Sequence, residues 1–164
     1  MPPLAEWQTF LSVQAGAAAA LTGLVFVAGV SIDLGRIVET PGLPGRAAES
    51  LLQILQVFFV SGVALVPIQS FAVLAGEVLV ITGASWLLQT IAQIRYAKTR
   101  RGHPRLWLLS RTIMTQFSGV PFGVAGILLA LRNPAGIYWL VPGIVFSFIA
   151  GVTSAWVLLV EILR

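Results

Sequence analysis

The sequence predicts an all-α protein, a polytopic bundle of about five transmembrane helices forming one domain over residues 1–164. Three observations carry this prediction: 57% of the residues are hydrophobic, only 10% are charged, and the apolar residues fall into long unbroken runs. Soluble domains carry about 25% charged residues because water must solvate their surface. A chain this poor in charge is expected to expose its surface to lipid.

Five apolar runs are long enough to cross a bilayer, which takes about 20 residues for a hydrocarbon core of ~30 Å. The predicted spans are 11–32, 47–68, 71–96, 112–131 and 137–160. Between the first two, the polar segment Asp33–Gly45 contains two prolines and three glycines and is predicted to be a loop. A basic loop is predicted at 97–111, and short turns are predicted at Pro67–Ser70 and Arg132–Gly136.

The basic residues orient this bundle. With five spans, the connectors after spans one and three share a side with the C-terminus. Arg132 lies on the opposite side, and the other nine basic residues lie on the C-terminal side: Arg36, Arg46, Arg95, Lys98, Arg100, Arg101, Arg105, Arg111 and Arg164. Because cytoplasmic loops carry the excess of Lys and Arg, we expect the N-terminus outside and the C-terminus in the cytoplasm.

One carboxylate falls inside a predicted span. Glu77 lies six residues after Phe71, or about 9 Å along a helix, and an ionisable group inside a membrane is a functional hypothesis by default. However, the stretch from Glu77 to Tyr96 is long enough to span by itself. Glu77 is therefore either an intramembrane group on a transport pathway or an interfacial residue.

Polar residues, uncharged except for Glu49, gather in the cytoplasmic halves of the three middle spans, at helical spacing that puts each set on one face. The candidates are Glu49, Gln53 and Gln56 in span two, Ser85, Gln89 and Gln93 in span three, and Thr112, Thr115 and Gln116 in span four. They predict a water-accessible polar vestibule open to the cytoplasm. The alternative is that these side chains only hydrogen-bond between helices.

Small residues mark candidate helix-packing faces, since they let backbones approach closely in lipid. They are Gly16 and Gly23 in span one, Gly119, Gly123 and Gly126 in span four, and Gly143, Ser147 and Gly151 in span five. Spacing does not distinguish packing within one chain from packing between chains. The number of such stripes favours a homo-oligomer.

The cytoplasmic connectors hold two further candidate sites. Lys98, Arg100, Arg101 and Arg105 are placed to bind anionic lipid headgroups, or they act only as topology determinants. Arg46 and Glu49 are three residues apart at the start of span two and are able to pair there. This pair is a candidate gate or docking element, with a well-formed helix start as the alternative.

Nothing in the sequence predicts catalysis, a cofactor or a metal site. There is no cysteine, and the one histidine, His103, lies in the predicted basic loop, so a serine nucleophile in the membrane has no histidine base. The high isoelectric point reflects loop charges, and no nucleic-acid partner is expected. We expect no enzymatic activity.

Two segments carry a resemblance: the alanine-rich stretch Ala15–Ala28 with the following Ser31 and Ile32, and the run Pro-Gly-Leu-Pro-Gly-Arg-Ala-Ala-Glu at 41–49. Together they resemble a group of small bacterial multi-helix membrane proteins. The resemblance covers about the first fifty residues and implies a location in the bacterial inner membrane, with no activity attached.

Two functions follow as hypotheses. The leading one is a homo-oligomeric channel or transport-like protein with a polar vestibule open to the cytoplasm. The alternative is a non-conducting accessory or regulatory subunit that packs against a larger membrane protein through its small-residue stripes.

Overall fold

The computed structural model describes the backbone of residues 2–39, 43–99 and 105–163, and every regular element in these ranges is helical. Side chains are described over the same ranges except at 2–5, 28–39, 43–46, 96–99, 105–111, 114–115, 157–159 and 161–163. The predicted all-α class is therefore confirmed for the described part of the chain.

Five α-helices follow one another: α1 (Pro2–Glu39), α2 (Leu43–Ala64), α3 (Phe71–Thr99), α4 (Arg105–Ala130) and α5 (Leu140–Leu163). A short 3-10 helix, Pro134–Ile137, precedes α5. Four segments are long and apolar enough to cross a membrane: Glu6–Val27, Ala47–Ala64, Phe71–Arg95 and Pro134–Trp156. The apolar stretch found in α4, Gln116–Ala130, is shorter.

The helices extend further into the polar connectors than the sequence predicts. The predicted loop Asp33–Gly45 is helical at both ends, since α1 continues to Glu39 and α2 begins at Leu43. Charged residues are compatible with a helix that continues past its apolar stretch, and a proline such as Pro44 is tolerated in a first turn because its missing N–H has no intrahelical partner there. Likewise, α3 and α4 take up most of the predicted loop 97–111, and residues 100–104 separate them.

The turn between α2 and α3 lies where Pro67 interrupts the apolar pattern. Helix α2 ends at Ala64, and Ile68 adopts a left-handed conformation with φ of 60°. Helix α3 then begins at Phe71, the first residue of the third predicted span, and Ser70 caps it: its Oγ accepts a hydrogen bond from the Val73 N–H at 3.3 Å. Such a cap satisfies one of the donors left over at a helix N-terminus.

The last turn is built by residues that the sequence assigns partly to span five. Asn133 Oδ1 accepts a hydrogen bond from the Ala135 N–H at 3.0 Å and caps the 3-10 helix. This helix, Pro134–Ile137, delays the start of α5 to Leu140, three residues later than predicted.

Helices α2, α3, α4 and α5 form a four-helix ring in which each helix packs against its two neighbours. Helix α1 lies outside this ring, packed mainly against α2 with a smaller contact to α5. Consecutive helices run antiparallel because their connections are short. We call the end that holds the α2–α3 and α4–α5 turns the turn end, and the opposite end, where α2 and α4 begin, the basic end.

Aromatic residues join α1 to the ring at the turn end. Trp7 packs edge-on against Tyr138 and against Phe10, with ring centroids 5.0 and 5.7 Å apart. Tyr138 and Trp139 are otherwise exposed. Tyrosine and tryptophan in such positions are typical of the membrane–water interface.

Candidate functional site

Ten polar side chains of the described residues are buried inside the bundle, each at most 8% exposed. We call this set the polar core: Glu49, Ser50, Gln53, Gln56 and Ser61 on α2, Thr82, Ser85 and Gln89 on α3, Ser118 on α4 and Ser147 on α5. Burying polar groups is costly unless they are hydrogen-bonded. A set of this size in so apolar a chain therefore calls for an explanation.

Helix α2 contributes the longest polar face. Glu49, Gln53 and Gln56 follow one another at intervals of four and three residues, so they share one side of the helix. They are 3%, 2% and 2% exposed. The polar face of α2 that the sequence predicts is therefore buried inside the bundle.

The polar faces of α2 and α3 meet directly. Gln53 Nε2 donates a hydrogen bond to Gln89 Oε1 at 3.4 Å, longer than the usual 2.7–3.2 Å for an N–H···O bond. Because the two helices are antiparallel, one turn toward the turn end brings Gln56 to the level of Ser85. The next turn brings Ser61 to the level of Thr82.

Helix α5 closes against α2 through a backbone contact. Ser50 Oγ donates a hydrogen bond to the carbonyl oxygen of Gly151 at 2.8 Å. The approach is close, since a Cβ added at Gly151 would lie 2.7 Å from Ile54 Cγ1. One turn toward the turn end from this contact, Ser147 on α5 reaches the level of Ile54, two residues from Gln56.

Helices α4 and α5 pack closely at Gly143, and this contact fixes their register. A Cβ added at Gly143 would lie 2.9 Å from ring atoms of Phe122, so this glycine is required for the two helices to pack as they do. One turn toward the basic end from this contact lie Ser118 on α4 and Ser147 on α5.

Five buried atoms among the amides and hydroxyls of the polar core have no hydrogen-bond partner: Gln53 Oε1, Gln56 Nε2, Ser61 Oγ, Thr82 Oγ1 and Ser147 Oγ. Each buried donor or acceptor left unsatisfied costs about 1 to 3 kcal/mol. Several such costs in neighbouring turns mean that the closed packing of the polar core is expensive. Any rearrangement that supplied partners would recover part of that free energy.

Apart from Ser61 and Thr82, the interior of the turn-end half of the four-helix ring is apolar. Its buried side chains are Val60, Ala64, Leu74, Ala75, Val78, Phe122, Ala125, Leu129, Ile137, Leu140 and Ile144, each at most 5% exposed. These side chains form a hydrophobic plug between the polar core and the turn end. The interior is therefore polar on one side of mid-height and sealed on the other.

Three predicted vestibule residues lie nearer the surface of the bundle. Gln93 and Thr112 are half-buried. Gln116 turns away from the polar core: its Oε1 accepts a hydrogen bond from the indole Nε1–H of Trp86, itself 47% exposed. Gln116 thus makes a contact between α3 and α4 at the outer surface of the bundle.

Glu77 is separate from the polar core. It is half-buried and accepts a hydrogen bond from Gln69 Nε2, which belongs to the α2–α3 turn. Gln89 lies twelve residues further along α3, about 18 Å away at the helical rise. The structure thus joins Glu77 to the turn end and not to the predicted vestibule residues Gln53 and Gln89.

The predicted packing residues fall into two groups. Cβ atoms added at Gly126, Gly143 and Gly151 would come within 3.0 Å of side chains of this same chain, and Ser147 is fully buried. By contrast, Gly16, Gly23 and Gly123 have nothing within 4 Å of such an atom, and Gly119 only touches Trp86 at 4.0 Å. The first group packs the ring, whereas the second leaves open surface.

The remaining predicted site residues lie outside the described side chains. They are Arg46, Lys98, Arg100, Arg101, Arg105 and Thr115. The candidate headgroup cluster and the Arg46–Glu49 gate therefore stay predictions. Glu49 itself is 3% exposed.

Sequence reasoning missed four members of the polar core: Ser50, Ser61, Thr82 and Ser118. Thr82 follows the Ser85–Gln89 spacing at one further turn and was detectable by extending that pattern. An isolated serine such as Ser118 carries no such signal, because single hydroxyls are common in membrane helices.

Among the described residues, no group of three or more His, Asp or Glu is placed to hold a metal ion. No family model, no curated protein and no solved structure matches this chain.

Proposed function

We propose that this protein is a channel or transport-like protein of the bacterial inner membrane, with a pathway running through the four-helix ring of each chain. All five helices span the bilayer in this proposal. The N-terminus and turn end lie outside, and the basic end and C-terminus face the cytoplasm. The asymmetry of the basic residues supports this orientation.

The observation that carries the proposal is the polar core with its five unpartnered atoms. Side chains that served only to join helices would be expected to satisfy one another, since polar groups in hydrocarbon gain most from mutual hydrogen bonds. Here the Gln53–Gln89 bond is long, and further turns of α2, α3 and α5 hold unused donors and acceptors. Such groups are suited to water or a polar solute that enters from the cytoplasmic side.

In this proposal the structure represents a closed state. The hydrophobic plug blocks the outer half of the interior, and transport requires the turn-end halves of the helices to separate. The unsatisfied groups lower the free energy required for opening, because an open, hydrated pathway supplies the partners that the closed state lacks. This is a structural means of keeping two states close in free energy.

Homo-oligomerisation is a separate part of the proposal, supported by the lipid-facing side of α1. Gly16 and Gly23 lie on that side, seven residues apart, with nothing within 4 Å of an added Cβ. The same surface favours the second candidate function, a non-conducting accessory subunit, in which α1 packs against a different membrane protein. Anionic lipid headgroups at the cytoplasmic face are proposed partners of the basic residues between α3 and α4.

Flux through reconstituted protein tests the main proposal. Purified protein is placed in liposomes, and the permeation of neutral solutes and of ions is measured by light scattering and by ion-sensitive dyes. The variant Gln53→Cys is then modified at its new thiol with a bulky reagent. We expect solute flux that modification of Gln53→Cys abolishes and that modification of the lipid-facing Gly16→Cys leaves unchanged.

Absence of any flux, together with recovery of the protein bound to a larger membrane protein after crosslinking, would contradict the proposal and favour the accessory-subunit function. Oligomeric mass in mild detergent tests the homo-oligomer separately. A monomeric mass would contradict homo-oligomerisation but would leave the proposed pathway inside each chain unaffected.

A further inference from the structure

One polar residue from each helix of the four-helix ring lies at the same height. Four independent contacts fix this register: Gln53 with Gln89, Ser50 with Gly151, Gly143 with Phe122, and Gly119 with Trp86. Counted from these contacts, the following four residues agree in level to within about half a helical turn, or ~3 Å. We call them the mid-height layer: Gln56, Ser85, Ser118 and Ser147.

The mid-height layer is fully enclosed. Its members are 2%, 8%, 1% and 0% exposed, in the order of the chain. Gln56 lies at the middle of the apolar window Ala47–Ala64. The layer is therefore an enclosed polar level at the centre of the proposed membrane span, and Ser61 and Thr82 form one further polar level toward the turn end.

The mid-height layer and the next turn toward the turn end contain polar atoms without hydrogen-bond partners. Gln56 Nε2 and Ser147 Oγ have no partner, and one turn toward the turn end Ser61 Oγ and Thr82 Oγ1 have none. The amide nitrogen is a donor, and each hydroxyl both donates and accepts. These groups match a small molecule with an oxygen acceptor and at least one polar hydrogen.

The layer is also uncharged. None of its four residues is ionisable, and the nearest carboxylate on α2, Glu49, lies seven residues away, about 10 Å along the helix. An ion at this level would lose its hydration without gaining an opposite charge. A neutral molecule avoids this cost.

We propose that the mid-height layer is the selectivity site of the pathway and binds small uncharged hydrogen-bonding molecules, excluding ions. The inference rests on the proposed pathway and assigns its substrate class. In the closed structure the four side chains are enclosed at one height, and a neutral solute enters the layer by forming hydrogen bonds with Gln56 and Ser147. Water is the smallest such molecule, and urea and glycerol are the larger probes.

The charge dependence of cysteine modification tests this inference. The chain has no native cysteine, so Ser147→Cys introduces a single thiol into the layer with little change in volume. Full-length protein in inside-out vesicles is treated with a neutral methanethiosulfonate, methyl methanethiosulfonate, and with its cationic and anionic analogues. Gln53→Cys, one turn nearer the basic end than Gln56 on α2, is the control.

We expect all three reagents to modify Gln53→Cys, and the neutral reagent to modify Ser147→Cys about 100-fold faster than the charged ones, in line with the cost of a charge at the centre of a membrane span. Added urea or glycerol should slow the neutral reaction at Ser147→Cys. Equal rates for the three reagents would overturn the selectivity of the layer while leaving the pathway in place.

Modification of Gln53→Cys but never of Ser147→Cys would overturn the site itself, because no neutral molecule would then reach mid-height. If neither thiol reacts, the proposed pathway fails and the inference fails with it. Solute flux measured in liposomes of Gln56→Leu provides a second readout. We expect urea flux to fall at least about tenfold as the layer loses its amide, with no gain in ion flux.

Discussion

Replacing Gly143 by alanine tests the helix register on which the mid-height layer depends. A Cβ at this position would lie 2.9 Å from ring atoms of Phe122, and ordinary contacts begin at 3.4 Å, so something must move by about 0.5 Å. Phe122 is fully buried and its ring is rigid, so α4 and α5 must separate. Overpacking of this kind costs about 1 to 3 kcal/mol.

A matched glycine isolates that steric cost. Gly16 is also inside a helix, but a Cβ added there meets nothing within 4 Å. Both variants gain the same helix preference of alanine over glycine, about 1 kcal/mol, so this gain cancels in the comparison. We expect Gly143→Ala to unfold more readily than Gly16→Ala by 1 to 3 kcal/mol, roughly 5- to 150-fold in the unfolding equilibrium constant.

The assay is equilibrium unfolding in mixed micelles of a mild detergent and sodium dodecyl sulfate, followed by tryptophan fluorescence. Combining Gly143→Ala with Phe122→Leu removes the ring atoms that clash, so the two changes should cost less together than the sum of their separate effects. Equal stability of Gly143→Ala and Gly16→Ala would refute the contact between α4 and α5 as described, and with it the common height of Ser118 and Ser147.

Further variants test other parts of the structure, those at Gln53, Gln89, Ser70 and Ser12 in the same unfolding assay and that at Glu77 by solute flux. Gln53→Leu and Gln89→Leu should each lower the free energy of unfolding by about 1 to 2 kcal/mol, because each leaves a buried amide unpaired. The double variant should be nearly as stable as the parent, and additive losses of stability would contradict the pairing. Ser70→Ala should lower the free energy of unfolding by about 1 kcal/mol through loss of the α3 cap. The control is Ser12→Ala: the Ser12 hydroxyl bonds only to its own helix, so this variant should be within about 0.5 kcal/mol of the parent. Glu77→Gln should leave solute flux unchanged within about twofold, since Glu77 bonds to Gln69 at the turn end and not to the polar core. A tenfold loss of flux would place this carboxylate on the pathway.

Much of the fold was predictable because its helices are long and apolar. Apolar runs located all five helices, and Pro67 marked the α2–α3 turn. Helix ends near the basic residues were not predictable from hydropathy, since helical hydrogen bonding continues past the apolar stretch into water: α1 extends to Glu39 through Asp33 and Arg36. The 3-10 helix before α5 was also missed, because Asn133 caps it through a local bond that an apolar count does not register.

The candidate site was predictable where polar residues repeat at helical spacing. Glu49, Gln53 and Gln56 on α2 and Ser85 and Gln89 on α3 were found in this way, and the structure brings Gln53 and Gln89 into contact.

The spacing of residues along one helix does not reveal which residues of a neighbouring helix lie at the same height. Ser118 and Ser147 therefore could not be joined to Gln56 from sequence. The same limit applies to Gln116, whose position on α4 fits the polar face but whose side chain bonds to Trp86 at the outer surface of the bundle.

The central claim is that the interior is reachable through the basic end and sealed at the turn end. The most direct measurement compares Gln53→Cys with Leu129→Cys, a position in the hydrophobic plug, using a membrane-impermeant thiol reagent on inside-out and right-side-out vesicles. We expect Gln53→Cys to react only in inside-out vesicles and Leu129→Cys to react in neither. Protection of Gln53→Cys from both sides, or its modification from the outside, would contradict the account.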